Sequence, residues 1–325
     1  MSDLNHGFNI SNGIAATKDI IRVISFPDYD RDPWESDYSQ IGCYKKDVGW
    51  GGIHRFWYAT SLCMSIKTNS SNDRVYVILG REGQVEFYTP NKTSVNEFIL
   101  DTGLYQSWSK NYGYVMCIKE IGQHLYVCGD NNQVYRRSST GNWEHIDHGI
   151  LQELSPENWT FLSDIDGLSE NDIYAVGYKG ALYHYNGQQW RHPHHNVDNE
   201  KLTKICIKSE DVIYVVGDNG TILIGNYKDG FKDISTVNDI NKYTDIVYFG
   251  NSFYLASNKG MFTLDPLTNI VKSYHTDLDI DLRDTHKLSV KDGVLWSIGN
   301  RDIAWFDGQH WTRVDIPGNP KIGGK

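Results

Sequence analysis

Residues 172–190 read DIYAVGYKGALYHYNGQQW: an apolar run, a turn at Gly180, an alternating aromatic run, a second turn at Asn186-Gly187, and Trp190. Glycine, asparagine and aspartate tolerate the positive φ that tight hairpin turns demand, so these residues punctuate and the runs between them are strands. Repetition decides whether the stretch is a site or a unit of scaffold. Copies stand at 75–88 (VYVILGREGQVEFY), 125–137 (LYVCGDNNQVYRR), 213–225 (IYVVGDNGTILIG), 253–265 (FYLASNKGMFTLD) and 295–307 (LWSIGNRDIAWFD). A weaker seventh, IAATKDIIRVI at 14–24, aligns with Asp19 in the place of Gly180. That place is held elsewhere by Gly83, Asn132, Gly220, Gly260 and Asp302.

Each copy has a partner on either side. Upstream lies another run, such as YVMCIK (114–119), TFLSDI (160–165), TKICIK (203–208), TDIVYF (244–249) or HKLSVK (286–291). Downstream, after a second turn, comes Trp143, Trp190, Phe231, Val271 or Trp311. One unit is therefore four short strands, A to D, recurring every 40 to 50 residues or so, the period of a propeller blade. No helical period of apolar residues persists. The pattern predicts an all-β fold, a seven-bladed β-propeller of four-stranded antiparallel blades forming a single domain over residues 1–325. Six blades with a decorated N-terminus is the alternative, because residues 27–56 lengthen the gap after the first copy.

The string Asp172-Ile173-Tyr174-Ala175-Val176-Gly177, then Gly180, His184-Tyr185-Asn186-Gly187 and Trp190, resembles the D-x-Y-A-V-G…G…H-Y-x-G-x-x-W blade repeat of many bacterial propeller proteins. The resemblance implies a propeller with a binding or scaffolding role, and its members are functionally diverse. The Gly-His and Trp-Asp pairing of WD40 blades is missing. The sialidase-type Asp-box is only approached, at Ser138–Trp143 and Asp307–Trp311.

Composition narrows the function. No run approaches the roughly 18 apolar residues of a membrane helix, and MSDLNHGFNISNG at the start lacks the basic and apolar regions of a secretory signal. Five cysteines, Cys43, Cys63, Cys117, Cys128 and Cys206, form no C-x-x-C pair. The reading is a non-exported, cytoplasmic protein. A formal net charge of −10 argues against the basic footprint of a nucleic-acid binder and is compatible with a basic protein partner or with solubility alone.

No catalytic, metal or cofactor motif stands out. His192, His194 and His195 cluster, as do His145 and His148, but without zinc-site spacing. Asp277, Asp279 and Asp281 open like an EF-hand loop, yet Leu282 and Leu288 occupy its glycine and glutamate positions; alternation with Leu278, Ile280 and Leu282 predicts a strand with one wet face. There is no G-x-S-x-G elbow and no phosphate-binding glycine loop. Asp164, Asp166, Asp245 and His286, on the inner strands, are the residues a dispersed hydrolase or lyase site would use.

The non-repeating segments carry the remaining signal. Aromatic stretches at 43–57, 104–114 and 153–159 read as D–A connections gathered on one face, placing Tyr44, Trp50, Tyr105, Trp108 and Tyr112 together, with Trp159 as a packing residue. PDYDRDPWESDY (27–38) interleaves Asp28, Asp30, Asp32, Glu35 and Asp37 with Trp34 and two tyrosines. Aromatic anchors with acidic steering groups are the equipment of a protein-binding surface. The expectation is a non-enzymatic, protein-binding propeller of the immunity or antitoxin type, neutralising a basic bacterial toxin through its loop-rich face, with no cofactor. A propeller lectin, or a propeller hydrolase or lyase, is the alternative.

Overall fold

The computed structural model describes residues 7–27, 37–65, 74–90, 93–104, 111–153 and 158–322. These build seven four-stranded antiparallel sheets, each a meander in which A, B, C and D pair in chain order. That is a seven-bladed β-propeller. Contacts divide it into two units: residues 1–58 with 241–325, holding blades 1, 6 and 7, and residues 59–240, holding blades 2 to 5.

Blade 4 shows how the repeated residues make a blade. Strand B is Asp172–Gly177, a tight turn spans Tyr178–Gly180, strand C is Leu182–Tyr185, and strand D starts at Trp190. Gly83, Asn132, Gly180, Gly220 and Gly260 all have positive φ, as their shared place in the repeat requires. Asp302 does not share it. Its carboxylate, buried, instead takes Nε and Nη2 of Arg313 at 2.8 and 2.9 Å, so this aspartate is held for its charge.

Blade 1 departs from the expected register by one strand. Phe8–Thr17 and Ile20–Pro27 are its strands A and B, so Asp19 sits in the A–B turn and not the B–C turn. Strands C and D are Ser39–Lys45 and Gly49–Arg55. Residues 39–55 are thus the outer half of a full blade, and the acidic stretch before Asp37 lies outside the described residues.

Every inner strand carries a β-bulge near its start, at Ser11, Thr60, Met116, Ser163, Thr203, Thr244 and His286. A bulge adds one residue to one strand and bends it. Thr60, Thr203 and Thr244 stabilise theirs by donating the hydroxyl to a strand-B carbonyl, at 3.3, 3.0 and 3.4 Å. The next residue in the pattern links neighbouring blades. The Ile118 amide donates to Ser61 Oγ (3.2 Å), the Ile205 amide to Asp164 Oδ2 (3.0 Å) and the Leu288 amide to Asp245 Oδ2 (3.0 Å). Between the sheets lies the apolar core, for instance Tyr174, Val176, Leu202, Ile213 and Phe231 between blades 4 and 5.

Blade 7 meets blade 1 without exchanging a strand. The Ile10 amide donates to the Asn300 carbonyl at 2.7 Å and the Ala15 amide to Ser289 Oγ at 2.9 Å. The Asn319 side chain clasps Phe8 twice, its Oδ1 accepting the Phe8 amide (2.6 Å) and its Nδ2 donating to the Phe8 carbonyl (3.0 Å). Asn319→Ala leaves both backbone groups without these partners and should cost about 1–2 kcal/mol, seen as faster hydrogen exchange at Phe8 and Ile10 before any change in blades 2 to 5. Uniform exchange across the chain would show that the clasp is not what holds this seam.

Candidate partner-binding site

The expected surface residues separate into three places. Asp28, Asp30, Asp32, Trp34, Glu35, Tyr105 and Trp108 lie outside the described residues. Asp37, next to the start of strand C of blade 1, is exposed. Tyr44 and Trp50 are not in a D–A loop: they sit on strands C and D of blade 1 and pair across a C–D hairpin, with ring centroids 5.5 Å apart. Tyr112 does lie in a D–A connection, half-buried, with its ring edge-on to His145 at 5.4 Å.

Trp50 has a structural duty shared with three other D-strand tryptophans. Its indole N–H donates to the Asp315 carbonyl (2.7 Å), while Trp143 donates to Glu97 (3.0 Å), Trp190 to the Ile146 carbonyl (2.7 Å) and Trp311 to the Tyr274 hydroxyl (3.0 Å). Each acceptor lies in or just past strand D of the preceding blade. In these four blades the strand-D tryptophan is a staple between blades.

Beside Trp50 the packing opens. Gly42 and Gly52 stand directly opposite each other on strands C and D, so the sheet surface there has no side chains. The Trp50 ring lies across Gly42, where an added Cβ would come within 3.2 Å of it. The result is a cleft of about 340 Å³ with apolar walls from Trp50, Phe8, Ile10 and Ile316 and a polar rim at Gln40 and His54. That volume is at the small end of those that bind ligands.

A second aromatic group forms at the D–A end of blade 4. Phe161 and Tyr178 stack with centroids 5.5 Å apart, and Trp159 covers Phe161 at 4.8 Å while remaining 43% exposed. The rings do pack, as a structural tryptophan would, yet they leave an indole face open to solvent. Nearby Asp130 is buried, and burial pushes its carboxyl up to about 6, against the Tyr114 amide that donates to Oδ2 at 2.9 Å. A carboxyl whose folded value is raised contributes stability that is full below pH 4 or so and is lost as pH rises through about 6. Asp130→Asn should therefore gain stability over wild type as pH rises from about 4 to about 7, by roughly 2–3 kcal/mol in urea titrations. A pH-independent difference between the two would contradict the raised carboxyl.

The inner-strand carboxylates are engaged with neighbours. Asp164 receives Lys204 Nζ at 2.8 Å and Cys117 Sγ at 3.4 Å, and Asp166 receives Lys119 Nζ at 2.8 Å. Both oxygens of Asp245 accept backbone amides, Ile246 on one and Leu288 on the other. At His286, burial pushes the imidazole down, outweighing backbone hydrogen bonds at Asp284 and Ser11. Burial also pushes the Cys63 and Cys128 thiols up, leaving no thiolate for nucleophilic work.

The remaining polar clusters tie loops. Residues 277–284 form no strand, contrary to the alternation of their sequence. Asp277 instead accepts His310 Nδ1 (2.9 Å) and the Trp311 amide (2.9 Å), and Asp281 accepts His275 Nδ1, Thr276 and Leu282. His192 packs on Tyr183 at 4.1 Å, and His195 accepts the Val197 amide. No group of three or more metal-ligating side chains converges among the described residues, and no helix among them is long and apolar enough to cross a membrane.

Comparison with known proteins gives a sequence relative and several structural ones. No family model matches the chain. It is 33% identical over 205 residues to the immune protein Tsi7 of Pseudomonas aeruginosa, an alignment taking in 62% of this chain and 63% of Tsi7. The chain thus spans a little under two thirds of that relative's length. Among solved structures, YCF48 bound to a D1 peptide superposes with a TM-score of 0.62 at 11% identity, covering 97% of this chain and 98% of that one. The WD40 propeller domain of Doa1 gives 0.60 at 10% identity, covering 95% and 93%. Virginiamycin B lyase from Staphylococcus aureus gives 0.60 at 10% identity, covering 80% and 84%. At such identities these three bear on the fold alone. The propeller architecture is common to all of them.

Proposed function

We propose that this chain is a non-enzymatic immunity protein, a single propeller domain acting in the cytoplasm that binds and neutralises a basic protein toxin. The observation that carries the reading is the similarity to Tsi7, an immune protein, over 62% of the chain. The engaged state of Asp164, Asp166 and Asp245 supports a binding role over a catalytic one, and the net charge of −10 supports a basic partner. Five free cysteines fit a reducing compartment. The proposed contacts are the acidic and aromatic residues Asp28, Asp30, Asp32, Trp34, Glu35 and Asp37, the aromatics Tyr105, Trp108 and Tyr112, and Tyr44 and Trp50 beside the blade 1 cleft. The test is affinity purification from the native cell, followed by co-expression of each captured polypeptide in a sensitive host. A captured polypeptide that kills the host alone but not with this chain supports the reading; no captured protein, or toxicity unaffected by the chain, overturns it.

A further inference from the structure

In blades 3, 4 and 5 the B–C turn repeats one backbone conformation, with φ of 53°, 56° and 52° at Asn131, Lys179 and Asn219 and of 61°, 69° and 69° at Asn132, Gly180 and Gly220. Nine described residues other than glycine have positive φ, and eight of them are asparagine or aspartate, whose short side chains tolerate the left-handed region. Lys179 is the ninth. The position before it departs as well: Asp130 and Asp218 in blades 3 and 5 give way to Tyr178. The backbone anchor is unchanged, since the Tyr178 amide donates to the Phe161 carbonyl at 2.9 Å as Asp130 does to Tyr114 and Asp218 to Lys201. The turn itself therefore suits Asp-Asn, and a lysine held against its backbone preference points to a function.

Both departures add to the aromatic group of Trp159, Phe161 and Tyr178. Lys179 Nζ stands 5.6 Å from the centre of the Tyr178 ring, and Lys201 Nζ 5.3 Å from that of Phe161. Neither ammonium pairs with a carboxylate among the described residues, whereas Lys46, Lys119, Lys204, Lys228 and Lys321 each do. Of the acids close by in the chain, Glu200 accepts Asn219 Nδ2 at 2.7 Å and Asp198 bears on the His195 imidazole. Resting on the partner-binding reading above, we propose that Tyr178, Lys179, Lys201 and the open face of Trp159 receive an acidic side chain of the partner polypeptide, with an apolar neighbour packed on the indole. Rings of this kind anchor protein contacts, and a charge pair fixes their register. The two lysines select the sign of the occupant. The net charge of −10 disfavours a nucleic acid, which cations beside a ring would otherwise suit. On a partner that is basic overall, an acidic group is repelled by an acidic chain except beside unpaired cations, so this patch sets orientation.

Lys179→Asn separates this proposal from general misfolding, because it installs the residue that blades 3 and 5 carry at that place. It should melt no lower than wild type while removing the cation. The probe is the polypeptide isolated with the wild-type chain from its own cells and then purified. Binding should weaken about tenfold for Lys179→Asn and for Lys201→Gln, and further for Lys179→Glu, which sets like charges together. Tighter binding by Lys179→Glu would reveal a basic occupant, and unchanged binding by all three variants would show that nothing acidic docks there. Either result overturns this proposal and leaves the immunity reading intact. Binding of a single-stranded oligonucleotide by wild type but not by Lys179→Asn would overturn it in favour of a nucleic acid. Absence of any bound polypeptide would overturn both readings.

Discussion

Asp164→Ala should be among the most damaging single substitutions in the inner strands, lowering stability by about 3–5 kcal/mol. The carboxylate is 1% exposed, and three donors converge on it: Lys204 Nζ, the Ile205 amide and Cys117 Sγ. Removing it strands a lysine whose side chain is only 18% exposed, and it orphans an amide that links the inner strands of blades 4 and 5. Asp164→Asn keeps an acceptor for the Ile205 amide and should lose less, because only the charge is removed. Urea midpoints for the two variants test the order. If the asparagine variant were as stable as wild type yet lost a catalytic turnover, Asp164 would be a chemical group and not a structural one.

Gly180→Val should be comparably severe, at about 3–5 kcal/mol, combining a left-handed backbone that β-branched residues strongly resist with overpacking. Gly180 has φ of +69°, and an added Cβ would lie 2.1 Å from the Val197 carbonyl oxygen, a backbone atom that cannot rotate away. Its amide also donates to the Glu200 carbonyl at 2.7 Å, so the turn is anchored on both sides. Gly308→Ala is the control: φ is +100° there, but nothing lies within 4 Å of the added carbon. That variant should remain soluble with a small shift in midpoint, whereas Gly180→Val should fall largely into the insoluble fraction. Equal behaviour of the two would show that close approach at Gly180 does not matter.

The fold was legible because its decisive residues are few in kind and do the same thing each time. Gly83, Gly180, Gly220 and Gly260 are turns, and Trp143, Trp190 and Trp311 open outer strands. Legibility failed where residue type and position part company. Asp19 marks a turn between two apolar runs, but an A–B turn and a B–C turn look alike in sequence, and the repeat pattern alone places blade 1 one strand out of register. Asp302 resembles a turn residue while its work is to hold Arg313, and Asp277 and Asp281 alternate like strand residues while their carboxylates fasten a loop. The bulges at Thr60, Thr203 and Thr244 were invisible because threonine is at home in any strand. Of the candidate site, the sequence showed the rings of Tyr44 and Trp50 but not the paired glycines that open space beside them. An empty volume is a property of two strands in register, and neither strand alone announces it.

The seam between blades 1 and 7 has a consequence for the order in which the molecule assembles. Within each blade, consecutive strands pair with their neighbours in sequence, contacts that cost little loop-closure entropy and can form while synthesis continues. The Asn319–Phe8 clasp joins residues 311 positions apart, so it waits until nearly the whole chain has emerged. Until then the inward flank of blade 1, with Ile10, Ala15 and Val23 destined to meet Trp296 and Ile298, faces water. A first blade that pairs its strands before blade 7 is made would leave that flank bare, and that interval is when a chaperone would have most to hold.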